Sequence, residues 1–126
     1  MTVGKLLLLS LAMLLMAACG AVAGDPSDTV ENYITAKVAA DGDTIASLLC
    51  SNLESDLQRE SISFASVEAQ VENLACSRVG DTDTVSCDGQ IVATYGTEDR
   101  VFELGTYNVV QEDGEWRWCG EVGAGE

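Results

Sequence analysis

No histidine occurs in this chain of 126 residues, and six lysines and arginines stand against 21 aspartates and glutamates. The first absence removes Ser-His-Asp and Cys-His catalysis, together with every histidine-ligated metal site. The second leaves a formal net charge of −15, which argues against a nucleic-acid partner because phosphate binding needs a basic footprint. It argues equally against adhesion to an anionic membrane surface. The chain holds one proline, no internal repeat and no low-complexity tract. Its length suits one domain of ordinary size and is too short for two. The apolar run Leu6 to Met16 has eleven residues, too few for the roughly 20 that a membrane-spanning helix needs.

What is present begins at the N-terminus. Residues 1–18 carry one charge, Lys5, followed by an apolar run from Leu6 to Met16 that only Ser10 interrupts. A short basic start, a leucine-rich centre and small residues after it describe a secretory signal peptide. The run ends Leu15-Met16-Ala17-Ala18-Cys19. This resembles the lipobox of bacterial lipoproteins, in which an apolar residue and two small residues precede a cysteine. The resemblance implies cleavage before Cys19 and acylation of its thiol. It also implies an extracytoplasmic protein of the bacterial cell envelope whose first partner is the lipid bilayer. Met16 departs from the commoner leucine, with Leu15 one position earlier. Several acyl chains at ~0.8 kcal/mol per buried methylene make such an anchor effectively stable. The alternative is a plain secretory signal with a cysteine near its cleavage point.

Beyond this segment the residues divide into a lipidated tether (19–27), a folded domain (28–121) and a short tail (122–126). Ser27 or Asp28 is placed to cap a helix with Val30, Tyr33, Ile34, the stem of Lys37 and Val38 on one face. Gly42 suits the left-handed position after that helix. Asp43 then caps a second helix whose stripe is Ile45, Leu48, Leu49, Leu53 and Leu57, with Glu54 to Glu60 more exposed. From about residue 64 the apolar period becomes two. Val67, Ala69 and Val71 alternate, then Leu74 and Cys76 continue on the opposite parity, which predicts a bulge near Glu72-Asn73. Turns at Gly80–Asp83, Gly96–Asp99 and Glu112–Glu115 separate strands at about 84–95, 100–110 and 116–119, and Asp113-Gly114 is the clearest hairpin signal. Helices followed by an antiparallel meander make an α+β domain with the helices on one face of the sheet.

Without Cys19 the cysteines are Cys50, Cys76, Cys87 and Cys119, an even set suited to an oxidising compartment. Three pairings are possible. A turn centred on Asp81-Thr82 sets Cys76 opposite Cys87, a cross-strand pair. That leaves Cys50 and Cys119 to staple helix to sheet. No CxxC occurs and the spacings fit no zinc pattern, so neither metal nor cofactor is expected.

The helix–turn–helix AADGDTIASLL at 39–49 and the hairpin VVQEDGEWRW at 109–118, with the order of elements over 28–121, resemble the nuclear transport factor two-like (cystatin-like) superfamily. The resemblance implies a cone, a curved sheet wrapped around N-terminal helices. Its members include binding modules, dimerisation modules and enzymes, so fold alone does not give function.

Pairing Ile91 with Leu104 and Ala93 with Phe102 defines a core face that includes Cys87. A two-residue turn at Asp113-Gly114 then sets Arg117 and Cys119 on that face. Trp116 and Trp118 fall on the other face with Val101, Tyr107 and Val109, as an apolar patch for a partner or a second copy. The alternative is that both tryptophans are core. Three functions follow: a non-catalytic interaction module of the envelope using that patch; a small-molecule binder with a pocket lined by Phe102, Leu104 and Tyr33; or an enzyme built on a tyrosine beside a buried carboxylate of raised pKa. The acidic loops at Asp41–Asp43, Asp81–Asp83 and Glu112–Glu115 offer oxygen ligands for calcium but match no EF-hand. Acidic turns are also ordinary turn chemistry.

Overall fold

The computed structural model describes residues 24–123; the segment 1–18 read as a signal peptide, Cys19 and the end of the tail lie outside them. Three helices pack on a five-stranded antiparallel sheet, an α+β arrangement. Helix α1 (Pro26–Val38) begins inside the segment read as tether. Its cap is Asp25 rather than Ser27 or Asp28, the carboxylate accepting from Ser27 N–H at 2.9 Å. Pro26 opens the helix, where no N–H is needed. Val30, Tyr33 and Ile34 are buried, as their three-and-four spacing predicts. Ala40, not Gly42, takes the left-handed position (φ 54°). Asp41, not Asp43, then caps α2 (Gly42–Leu48) by accepting from Thr44 N–H.

The long second helix expected from the leucine stripe is broken. α2 ends at Leu48, a 3-10 turn covers Ser51–Asp56, and α3 is Leu57–Ile62. The junction leaves the helix because it has a better partner: Leu49 forms a parallel bridge with Trp118, and Cys50 N–H donates to the Trp118 carbonyl at 2.9 Å. This pair of residues serves as a sixth, very short strand on the outer edge of the sheet. Glu112 closes the start of the 3-10 turn, accepting from Ser51 N–H at 3.0 Å and Ser51 Oγ at 2.9 Å.

The strands are β1 (Glu68–Arg78), β2 (Thr84–Tyr95), β3 (Glu98–Glu103), β4 (Thr106–Glu112) and β5 (Glu115–Glu121). They run β1-β2-β4-β5, with β3 pairing the later half of β2. The β1 bulge falls between Glu72 and Ala75, with Asn73 at φ 55°. Gly89 accommodates it: a Cβ there would stand 2.6 Å from the Glu72 carbonyl oxygen. Past the bulge Cys76 lies opposite Cys87, and the two are linked.

Two corrections arise on the other side of β2. The β2–β3 turn is tighter than expected, with Tyr95 opposite Glu98, so Ile91 pairs with Phe102 and Ala93 with Arg100. The expected single strand over 100–110 is also interrupted. Leu104 N–H still bonds Gly89 O, but Cys87 N–H bonds Gly105 O, and Val85 then faces Tyr107. That step changes the parity. Even-numbered residues share the face of Ile91 in β3 and odd-numbered ones do so in β4, so every side chain after Gly105 changes face. The Asp113-Gly114 turn has two residues, with positive φ at both (54° and 78°), as a type I′ hairpin requires. Val109 therefore pairs with Trp118 and Gln111 with Trp116 on the core side. Trp116, Trp118, Tyr107 and Val109 are buried, and the apolar surface patch expected from them does not exist. Of that set, Val101 alone remains exposed.

Candidate functional site

The centre of the helix–sheet interface is an aromatic stack. The Tyr33 ring lies on Trp118 with centroids 4.0 Å apart and planes within 9°, and Tyr107 leans on the same indole. Tyr33 is 1% exposed, so its hydroxyl must have a partner inside the fold. It donates to Glu60 Oε2 at 2.6 Å. The same oxygen meets Lys37 Nζ at 2.8 Å, and that ammonium sits 5.9 Å from the Trp118 ring centroid. Lys37 follows Tyr33 by one helical turn, so both project from the same side of α1. Glu60 reaches them from α3.

Burial alone would raise the Glu60 carboxyl, but the hydrogen bonds from Lys37 and Tyr33 outweigh it and hold it below the ordinary glutamate value. Glu60 is therefore ionised at neutral pH. Tyr33 is pushed far above the ordinary tyrosine range, by burial first and by the Glu60 bond second. The pair matches the tyrosine–carboxylate geometry of the enzymatic reading, but its carboxylate is shifted in the opposite direction to the one that reading requires. Its stabilising effect is full above the unfolded value of about 4.5 and is lost as the pH falls through the lower folded value. Glu60→Gln is expected to lose about 1.5–3 kcal/mol at pH 7, the range for hydrogen bonds to charged groups. In chemical denaturation, the gap between wild type and variant should close as the pH drops below about 4.5. A gap that persists unchanged at pH 3 would contradict this.

Beside this cluster an open cleft of about 570 Å³ lies between the last turn of α1, the 3-10 turn, α3 and the end of β5. Lys37, Asp56, Arg59, Glu60 and Trp118 form its helical and inner walls, and Asn108 with Cys119–Glu121 its sheet wall. Lys37 and Arg59 are two of only six basic residues in the chain, and Arg59 is paired with Asp56 at 3.2 Å. A separate recess of about 40 Å³ lies between Tyr33, Ile91, Leu104 and Tyr107, with Lys37, Trp118 and Glu121 lining both. Trp118 is 5% exposed, yet its indole Nε1 is a buried donor with no acceptor among the described residues. Buried side-chain donors are normally paired. Trp116 shows the contrast, its Nε1 donating to Gly24 O at 3.1 Å.

The sequence-derived residues fall as follows. Cys50–Cys119 and Cys76–Cys87 are both bonded, with S–S distances of 2.06 and 2.01 Å. Cys50 is reached not from a helix but from the short strand at the edge of β5, so Cys119 can point away from the core and still find it. Tyr33 and Leu104 border the inner recess. Phe102 does not; it is 41% exposed and meets Phe64 edge-on at 6.0 Å. Asp41 and Glu112, from two of the acidic loops, are engaged as caps. Among the described residues no group of three or more acidic or cysteine side chains is placed to hold a metal. Glu60 is a correction: expected on an exposed half-helix, it is buried. Its position three residues after Leu57, on the apolar stripe, was the available signal. Asn108 and Gly120 carried none.

The chain matches no family model, no curated protein and no solved structure. Among the described residues no helix is long and apolar enough to cross a membrane.

Proposed function

We propose that this protein is a lipid-anchored, extracytoplasmic binding domain of the bacterial cell envelope, held to the bilayer by acyl chains on Cys19. It has the nuclear transport factor two-like cone as its fold and a small polar solute as its ligand. The cleft walled by Trp118, Lys37 and Arg59 carries the reading, together with the Trp118 indole N–H, which is buried and meets no acceptor among the described residues. Lys37 and Arg59 offer the cleft cationic donors to a polar solute. A turn of the Trp118 indole toward an acceptor in the cleft would give its N–H the bond the protein leaves unmade. A cleft of about 570 Å³ is within the ~300–1,000 Å³ of small-molecule sites. The lipobox sequence and the two disulfides support export to an oxidising compartment. We read the domain as non-catalytic because its buried carboxylate is held ionised by Lys37 and Tyr33.

A protein partner, either a second copy or an envelope protein, is the second reading. It is favoured by β3, every residue of which is exposed, including Val101 at 53% and Phe102 at 41%.

Native mass spectrometry of the protein extracted from its own membrane tests these points together. The expected spectrum shows a diacyl or triacyl mass on Cys19 and a small bound species that is lost on denaturation. Trp118→Phe should keep the aromatic stack and lose the bound species. An unmodified Cys19 would overturn the anchor, and identical native and denatured masses would overturn solute binding. A doubled native mass that Phe102→Asp converts to a single one would favour the second reading.

A further inference from the structure

The fold ties the anchor to one end of the domain. Gly24 O accepts from the buried Trp116 indole, and the guanidinium of Arg78 lies over the Trp116 ring at 5.1 Å. Pro26 and Ser27, two and three residues further on, are buried. Gly24 is therefore a fixed point of the domain. It lies beside Arg78, the last residue of β1, and beside Trp116, which follows the β4–β5 turn.

Resting on the lipid-anchor reading above, we propose that this end is the surface the domain presents to the lipid bilayer. It consists of the start of α1, the β1–β2 turn and the β4–β5 hairpin. The β2–β3 hairpin at Gly96-Thr97 is then the distal tip. Gly24 follows Cys19 by five residues, a reach of at most ~18 Å. β2 runs unbroken from Thr84, just after the first turn, to Tyr95 at the opposite tip, which at ~3.3 Å per residue is about 36 Å. With the β2–β3 tip on the bilayer, Gly24 would stand at about twice the reach of its tether. The inverted orientation is closed to the protein. Charge does not choose the face, since the turns at this end are themselves acidic (Asp81, Asp83, Asp113 and Glu115) and are held off an anionic surface within the slack of the tether. The short tether is what keeps this end nearest the bilayer.

This orientation also says which solvent the exposed apolar residues meet. Val101 and Phe102 pair with Val92 and Ile91, in the distal half of β2. They are held out in the aqueous compartment rather than against lipid, so what covers them is soluble or belongs to another envelope protein.

A fluorophore attached at Asp81 or at Thr97, both exposed, reports the orientation through quenching by nitroxide headgroup lipids. The acylated protein is placed in phosphatidylcholine vesicles, carrying Asp81→Cys or Thr97→Cys with both native disulfides intact. Quenching at position 81 should exceed that at 97 by at least twofold. A 20-residue Gly-Ser spacer inserted after Gly20 should abolish the difference. Equal or reversed quenching in protein that floats with the vesicles overturns the orientation alone. Failure to float with vesicles overturns the anchor and the orientation with it.

Discussion

Replacing Trp118 with alanine should destabilise the domain by about 3–5 kcal/mol, the range for aromatic-to-alanine changes in a core. That is a large share of the ~5–15 kcal/mol that holds a typical domain together. The indole carries the stack on Tyr33, the contact with Tyr107 and the wall shared by cleft and recess. Its removal also leaves the Tyr33–Glu60–Lys37 cluster without its apolar cover. Urea titration followed by far-ultraviolet circular dichroism measures the effect. Trp118→Phe is the necessary partner experiment: it retains a ring on Tyr33 and deletes a buried donor that nothing satisfies, so its cost should be well under half that of alanine. An alanine variant with a midpoint close to wild type would mean that Trp118 is a surface residue, which is what the uninterrupted strand register predicts.

The second large effect is expected from the Cys50–Cys119 bond. It closes a loop with a sequence separation of 69, against 11 for Cys76–Cys87. On the chain-entropy account the first contributes about 4 kcal/mol and the second about 3. The ranking should hold with a wider margin than those figures give. Cys50 lies on the two-residue strand at the β5 edge, which is joined to the sheet by its bridge to Trp118. Cys76–Cys87, in contrast, is embedded in a ladder of nine paired positions. In Cys50→Ala/Cys119→Ala, the segment from Leu49 to Asp56 should lose amide hydrogen-exchange protection before the sheet does. Cys76→Ala/Cys87→Ala should retain it. Equal losses of stability in the two double variants, with protection unchanged at Leu49–Asp56, would contradict this account.

How far the sequence reached can be judged from single residues. Cys76 opposite Cys87 was legible because a strand pair and a short turn fix register over a few residues, and the parity change at Glu72-Asn73 announced its own bulge. The hairpin at Asp113-Gly114 was legible because few residue pairs accept positive φ in succession. The faces of Trp116 and Trp118 were not. Their assignment depended on counting through Leu104-Gly105, and a one-residue step there reverses everything downstream without a marker beyond one glycine. The break of the second helix was hidden for a related reason. Leu48, Leu49 and Leu53 fit a helical stripe, and only the presence of an unpaired β5 edge makes the extended conformation at Leu49 the better one. Of the candidate site, Tyr33 and Lys37 could be placed on one helix face, but Glu60 comes from an element whose direction was unknown until the break was seen.

The placement of the tryptophans has a consequence for the order in which the molecule can be made. A chain that leaves the ribosome or crosses a membrane does so N-terminus first. Here α1 and the first four strands would emerge with no indole against Tyr33 and no partner for Cys50, since both arrive with the last strand. Cys76 and Cys87 can join early, while the long staple must wait for β5. Completion of the tertiary structure is thus a terminal event. For the exported protein proposed above, this order keeps the chain threadable until β5 has crossed.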